Sequence, residues 1–195
     1  MSIKAKLFFV VSFMICTYYF VYPFYLHSIF KRDYINYLKK YKDIDIFINN
    51  DEKVNYFING EIKKDSLHCQ KGFRIIIQLN GQCGTCINTL KGWSTFSQEI
   101  KFPPENIIVY VHADNYAAFE YTMLKNKLNN FYMIYDKDSL FLKVNNLHMN
   151  SRDALLKVCI INNKNKIVAV GSPFSSSYIK EEYLNLLTKI DNNEE

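Results

Sequence analysis

Proline and glycine are both scarce in this sequence, with four and six copies in 195 residues. No proline falls between Pro104 and Pro173. The loops are written mainly in Asn and Lys, and neither a low-complexity tract nor an internal repeat divides the chain. Cysteine is sparse and unevenly placed, at Cys16, Cys69, Cys83, Cys86 and Cys159, which excludes a small scaffold stapled by disulfides. The formal net charge is only +5, and Lys and Arg are scattered among Asp and Glu. Without a basic stripe the chain lacks the footprint of a nucleic-acid binder. At this length one ordinary domain and an N-terminal appendage fit, whereas a second full domain would be crowded.

Apolar and aromatic residues are abundant, at 49% hydrophobic with 15 Phe and 15 Tyr. Part of that excess sits at the N-terminus, where residues 7–30 carry no formally charged side chain, His27 apart. Lys4 and Lys6 precede this stretch and Lys31 and Arg32 come after it. A spanning helix needs roughly 20 apolar residues, so the segment is long enough. Pro23 predicts a kink or an end there, with residues 24–30 as an aromatic interfacial stretch. No A-x-A cleavage site is present, and Ile15 stands where a lipoprotein signal would put a small residue before Cys16. Residues 1–30 therefore read as an uncleaved, single-pass transmembrane anchor. Basic residues are more numerous after the segment, which by the positive-inside rule would keep the remainder cytoplasmic. A signal-anchor, however, exports the chain on its C-terminal side, and the chemistry of the paired cysteines suits export. The soluble part is accordingly expected on the extracytoplasmic, periplasmic side.

Residues 31–53 read as a juxtamembrane tether rich in Tyr and Lys, helical over 32–41, whose basic run is a solvated stretch within reach of lipid headgroups. Residues 54–191 form the domain, and 192–195 a frayed tail. Asn59-Gly60 between two apolar runs is a two-residue hairpin signal. Phe73-Arg74-Ile75-Ile76-Ile77-Gln78-Leu79 is a short branched run typical of a strand buried on both faces. Beyond it, Ile87, Leu90, Trp93 and Phe96 recur at steps of three, a helix face, and Pro103-Pro104 ends that helix. The alternation continues with strands over 106–112 and 131–135, helices over 115–128 and 139–145, a hairpin from 155–161 and 166–170, and a closing helix over 177–190. Such alternation predicts an α/β fold with a mixed central sheet flanked by helices.

Between the apolar strand and the first helix lies Cys83-Gly84-Thr85-Cys86. A helix N-terminus offers unsatisfied N–H groups and a partial positive charge, and both stabilise a thiolate. Cys83 is thereby the expected nucleophile, with its pKa lowered. Cys86, one turn into the helix, is placed to resolve the mixed disulfide. Gly84 permits the tight turn and Thr85 suits a first helical turn.

Residues 72–190 resemble the thioredoxin superfamily, in particular its membrane-tethered thiol-disulfide reductase-like branch. The resemblance rests on the strand leading into Cys83-Gly84-Thr85-Cys86, and on the stretch from Val158 through Asn162-Asn163-Lys164-Asn165 to Gly171-Ser172-Pro173. The latter is similar to the family's late hairpin, in which two apolar strands around a polar turn precede the last helix. The resemblance implies a thioredoxin-like fold and a thiol-disulfide oxidoreductase that exchanges disulfides with partner proteins, reductase preferred, without a cofactor. The sequence departs from the family in three places. Ala154-Leu155-Leu156-Lys157 stands where a cis-proline usually precedes the hairpin, Gln82 replaces the usual aromatic before the first cysteine, and no acid lies near Ile77.

Two other readings use the same cysteines. One is a redox-inactive thioredoxin-fold binding module. The other is a zinc site completed by His68 and Cys69. Cys159, between Val158 and Ile160, reads as a buried inert thiol, Cys69 as a bystander and Cys16 as a packing residue of the anchor. Trp93 reads as core or rim packing. His112 ends a strand where α/β sites gather, although a structural role is the simpler expectation for it, and His148 is a loop histidine with no assigned role.

Overall fold

The computed structural model describes residues 11–48, 53–58, 61–67, 72–81, 84–128, 131–136, 138–147 and 157–188. The chain divides into two units, Met1–Tyr41 and Lys42–Glu195. In the first unit, helical residues 11–16 lead into a π turn, Thr17–Val21, and then into α1, Tyr22–Tyr41. Pro23 is expected to kink or end the helix, yet the helix runs through it. Proline lacks an N–H and crowds the carbonyl four residues back. The π turn just before it widens the bonding, with the Tyr22 N–H reaching Thr17 O, and the helix absorbs the ring. Phe13, Phe20 and Phe24 are exposed along this unit, Phe24 by 81%. Among the described residues no helix is long and apolar enough to cross a membrane. Tyr18, Tyr19, Tyr22, Tyr25, Pro23 and His27 dilute the apolar run, and residues 1–10, where the expected anchor begins, lie outside the described residues.

The second unit is built on a seven-stranded sheet. Its strands are β1 (Lys53–Ile58), β2 (Glu61–Ser66), β3 (Arg74–Asn80), β4 (Ile107–His112), β5 (Phe131–Tyr135), β6 (Val158–Ile161) and β7 (Ile167–Val170), in the order β2-β1-β5-β4-β3-β6-β7. β3, β4 and β5 run parallel, and every other pairing is antiparallel. Ile58 pairs with Glu61, so two residues join β1 to β2, as Asn59-Gly60 predicts. Helices supply the parallel crossovers: α2, Gly84–Glu99, between β3 and β4, and α3, Tyr116–Lys125, between β4 and β5. A short α4, Leu140–Val144, comes after β5, and α5, Ser177–Leu187, closes the chain after the β6–β7 hairpin.

The central strands are apolar along nearly their whole length because both faces are covered. Ile75, Ile76 and Ile77 of β3 and Ile107, Ile108, Val109 and Val111 of β4 are fully buried. The predicted helix face is also in place, since Leu90, Trp93 and Phe96 of α2 are buried. Trp93 packs edge-on against Phe96 at 5.8 Å and Phe174 at 5.2 Å, and lies 5.9 Å from Tyr183 of α5. Tyr183 in turn donates its hydroxyl to Gly171 O at 2.6 Å, so this aromatic cluster ties α2, α5 and the end of β7 together. On another part of the sheet, Glu120 of α3 accepts from Asn55 of β1 at 2.9 Å and from the Tyr135 hydroxyl of β5. Burial first, and then the bond to Glu120, hold the Tyr135 phenol well above its ordinary range.

The expected tether, residues 31–53, falls into two parts. α1 carries residues 31–41, and residues 42–48 belong to the second unit. There the chain pairs with β7, Asp43 N–H donating to Ile167 O at 2.9 Å, Ile167 N–H to Ile44 O at 3.1 Å and Ile46 N–H to Asn165 O at 2.7 Å. An open sheet edge is thereby capped, and Ile46 and Ile48 are buried. Asn145, after α4, completes the attachment as a side chain that imitates a strand. Its Oδ1 accepts from Phe47 N–H at 2.6 Å and its Nδ2 donates to Phe47 O at 3.2 Å. Asn145 is itself buried, so its loss would leave both backbone groups without these partners. Asn145→Ala is expected to destabilise the protein by about 1–3 kcal/mol, measured by urea denaturation, with faster amide exchange at Phe47. An unchanged exchange rate there would show that the clamp contributes nothing.

Candidate functional site

Strand β3 ends at Asn80, and the turn after it is tightly enclosed. A Cβ placed on Gly81 would meet Ala113 Cβ at 2.9 Å and the Val111 and Phe119 side chains at 3.1 Å, so only glycine lets the chain pass here. Gly81 N–H donates to His112 O at 2.7 Å, which locks the tops of β3 and β4 together. Cys83 lies outside the described residues, as do Gln82, His68, Cys69 and His148. The helix after Cys83 begins at Gly84, as the motif requires.

Cys86 occupies the first turn of α2 and is 7% exposed. Its Sγ lies 2.7 Å from Asn80 O, to which the thiol donates. The second cysteine of the motif is therefore seated against the end of the central strand. It faces a cleft of about 690 Å³ at the C-terminal ends of β3 and β4, the end of a parallel sheet where ligand sites form. Asn80, His112, Asp136, Lys157 and Phe174 share that lining with Cys86.

Each of those side chains is placed by a local device. The Asp136 carboxylate accepts from Leu140 N–H at 2.6 Å and Phe141 N–H at 3.2 Å, so it caps α4 while Ser139, at φ 52°, makes no side-chain cap. His112 ends β4 exposed, with Nδ1 3.3 Å from Asp136 O. Its structural contact and its place in the cleft coexist. Lys157 immediately precedes β6; residues 151–156 lie outside the described residues. Phe174 is 50% exposed and lies over Gly92, where a Cβ would come within 3.2 Å of the ring. The absence of a side chain at Gly92 lets the ring reach Trp93. Sequence reasoning passes over Lys157, Phe174 and Gln78, all cleft-lining, because nothing in their local pattern marks them. Gln78 Nε2 is buried without a hydrogen-bond partner, and the only local signal is a polar residue in an otherwise apolar strand.

Cys159 lies apart from this chemistry. It is 1% exposed in mid-β6, and burial pushes its thiol up from the ordinary 9.0 to about 12. This matches the inert role read from its neighbours. Because the folded thiol keeps its proton above the unfolded value, this group's contribution is complete below about pH 9. It is then lost as pH rises toward 12. Wild-type stability should therefore fall more steeply above pH 9 than that of Cys159→Val, by up to about 1.4 kcal/mol per pH unit. Parallel urea series at pH 7 and 10 would read this, and identical slopes would remove the assignment.

No family model matches the sequence, and no curated protein resembles it. Solved structures do superpose at low identity. A candidate thiol-disulfide oxidoreductase from Bacteroides vulgatus is 17% identical, with TM-score 0.49 over 72% of this chain and 90% of that one. Thioredoxin from Wuchereria bancrofti is 11% identical, with TM-score 0.46 over 70% and 97%. A thiol-disulfide oxidoreductase from Bacteroides fragilis is 12% identical, with TM-score 0.43 over 69% and 99%. The fold is carried by the chain's own topology: parallel β3-α2-β4-α3-β5 units, an antiparallel β6–β7 hairpin beside β3 and a closing α5. With these features the chain has a thioredoxin-like α/β fold.

Proposed function

We propose that the protein is a membrane-tethered thiol-disulfide oxidoreductase that exchanges disulfides with partner proteins through Cys83 and Cys86. The observation that carries this reading is the seat of Cys86, in the first turn of α2 with its thiol 2.7 Å from Asn80 O and facing an open cleft. A thiol in the helix's first turn, next to a cavity that admits a peptide segment, has what a resolving cysteine needs. Cys83 immediately precedes Gly84, the first residue of the 16-residue α2, where helix N–H groups favour a thiolate. Cys83 then attacks a substrate disulfide, forming the Cys83–substrate bond and releasing one substrate thiolate. Cys86 next attacks Cys83 Sγ, forming the intramolecular disulfide and releasing the second. Two electrons pass from the protein dithiol to the substrate.

Cys86→Ser should accumulate the mixed disulfide with a disulfide-bonded peptide, seen by non-reducing mass spectrometry, while Cys83→Ser should form none. Failure of Cys86→Ser to trap any adduct would remove the oxidoreductase reading and favour a redox-inactive binding module. Stoichiometric zinc in the purified protein would favour the metal reading instead.

The N-terminal segment is, in this proposal, a single-pass anchor with the second unit on the extracytoplasmic side. Its support is the run of uncharged residues over 7–30, His27 apart, and the exposure of Phe13, Phe20 and Phe24, which in water would be a large unsatisfied apolar surface. The full-length protein is expected to stay with the membrane through alkaline carbonate extraction, and to be labelled in intact cells by an impermeant thiol reagent. Recovery of intact protein in the carbonate supernatant would end the anchor reading, and protection from the reagent would reverse the orientation.

A further inference from the structure

When Cys86 resolves a mixed disulfide its thiol must lose a proton, and β3, Arg-Ile-Ile-Ile-Gln-Leu-Asn, carries no carboxylate to take it. Among the described residues, the titratable side chains lining the cleft with Cys86 are Tyr110, His112, Asp136 and Lys157, and Asp114 and Asp138 stand in the adjoining loops. Asp136 has both carboxylate oxygens engaged by the α4 backbone, Oδ1 with Leu140 and Oδ2 with Phe141. Tyr110 lies stacked on Phe141 at 4.1 Å, and an ammonium such as that of Lys157 has no acceptor to offer. Histidine is the side chain suited to accept a thiol's proton near neutral pH.

The position and tautomer of His112 fit that task. Asn80 and His112 are register partners on adjacent parallel strands, about 4.8 Å apart as neighbouring strands are, and on the same face of the sheet. The Cys86 thiol rests on the carbonyl of that same Asn80. A carbonyl only accepts, so the 3.3 Å contact with Asp136 O places the ring hydrogen on Nδ1. Nε2 is then the acceptor of the neutral ring. The Gly81-to-His112 backbone bond and the Asp136 cap hold this arrangement in place.

We propose that His112 is the proton acceptor for Cys86: Nε2, directly or through one water, takes the Sγ proton as Cys86 attacks Cys83 Sγ. The Cys86–Cys83 bond forms, the Cys83–substrate bond breaks, and the imidazolium returns its proton to the departing thiolate or to water. The inference rests on the thiol-disulfide reading above and names the group that serves its second step.

Stopped-flow reaction of the reduced full-length protein with one equivalent of a chromogenic aryl disulfide separates the two steps. The first aryl thiolate released reports attack by Cys83 and the second reports resolution by Cys86. His112→Gln is expected to leave the first phase unchanged and to slow the second at least about tenfold near neutral pH. In the wild type the second phase should show an acid limb and then level off, whereas in the variant it should keep rising with pH as the thiol itself ionises. His112→Asn, whose amide can still donate to Asp136 O, should behave like His112→Gln if the base is what matters. Recovery of the wild-type profile by His112→Asn would assign the residue a structural role and overturn the inference. So would an unaltered second phase in both variants, or an equal slowing of both phases. A wild-type protein that releases no second thiolate would overturn the thiol-disulfide reading together with this one.

Discussion

The structure depends on the burial of the centre of β3 between two different kinds of neighbour. Ile75, Ile76 and Ile77 are fully enclosed, with β4 parallel on one side and β6 antiparallel on the other. Parallel pairing with β4 requires a long crossover, which α2 supplies. Antiparallel pairing with β6 brings the late hairpin to the same strand from the other end of the sequence. The end of β3 is therefore where the helix start, the end of β4, the residue before β6 and the loop after β7 converge. That convergence, set by the sheet, is the cleft.

Solvation separates Cys86 from Cys159. Cys159 and Cys86 are both buried, but at Cys159 burial alone raises the pKa. Cys86 has a carbonyl partner and an open cleft beside it. The same contrast runs through the polar side chains. Asn145, Glu120 and Asp136 each satisfy a backbone or side-chain partner and so fix an element in place. Gln78 and Trp93 keep a buried nitrogen without one, a cost the surrounding apolar packing offsets.

Much of the fold is legible because its elements obey simple periods. The apolar run of β3, the three-residue steps of α2, the two-residue turn before β2 and the polar turn between β6 and β7 all lie where local pattern puts them. The departures share a cause, which is partners distant in sequence. Pro23 reads as a break because a proline's clash is local, while the π turn that relieves it is a property of the whole helical segment. Residues 42–48 read as tether because they continue a stretch rich in Tyr and Lys, although Ile44, Ile46, Phe47 and Ile48 among them are apolar. Their alternation over Asp43-Ile44-Asp45-Ile46 is a local strand signal, but the pairing with β7 and with Asn145 spans about a hundred residues or more of sequence and names no partner locally. Lys157, Phe174 and Gln78 escape notice for the same reason.

The sequence by itself determined the chemistry on offer and the order of the elements. Two cysteines at helical spacing come directly after a strand apolar enough to require burial on both faces, and that arrangement is written locally. Only the tertiary structure decided which groups face Cys86. His112 and Asn80 are 32 positions apart in the chain but one strand spacing apart in the sheet. Parallel pairing joins residues of equal height on neighbouring strands, and that height is set by burial of the whole sheet and by no residue near the motif.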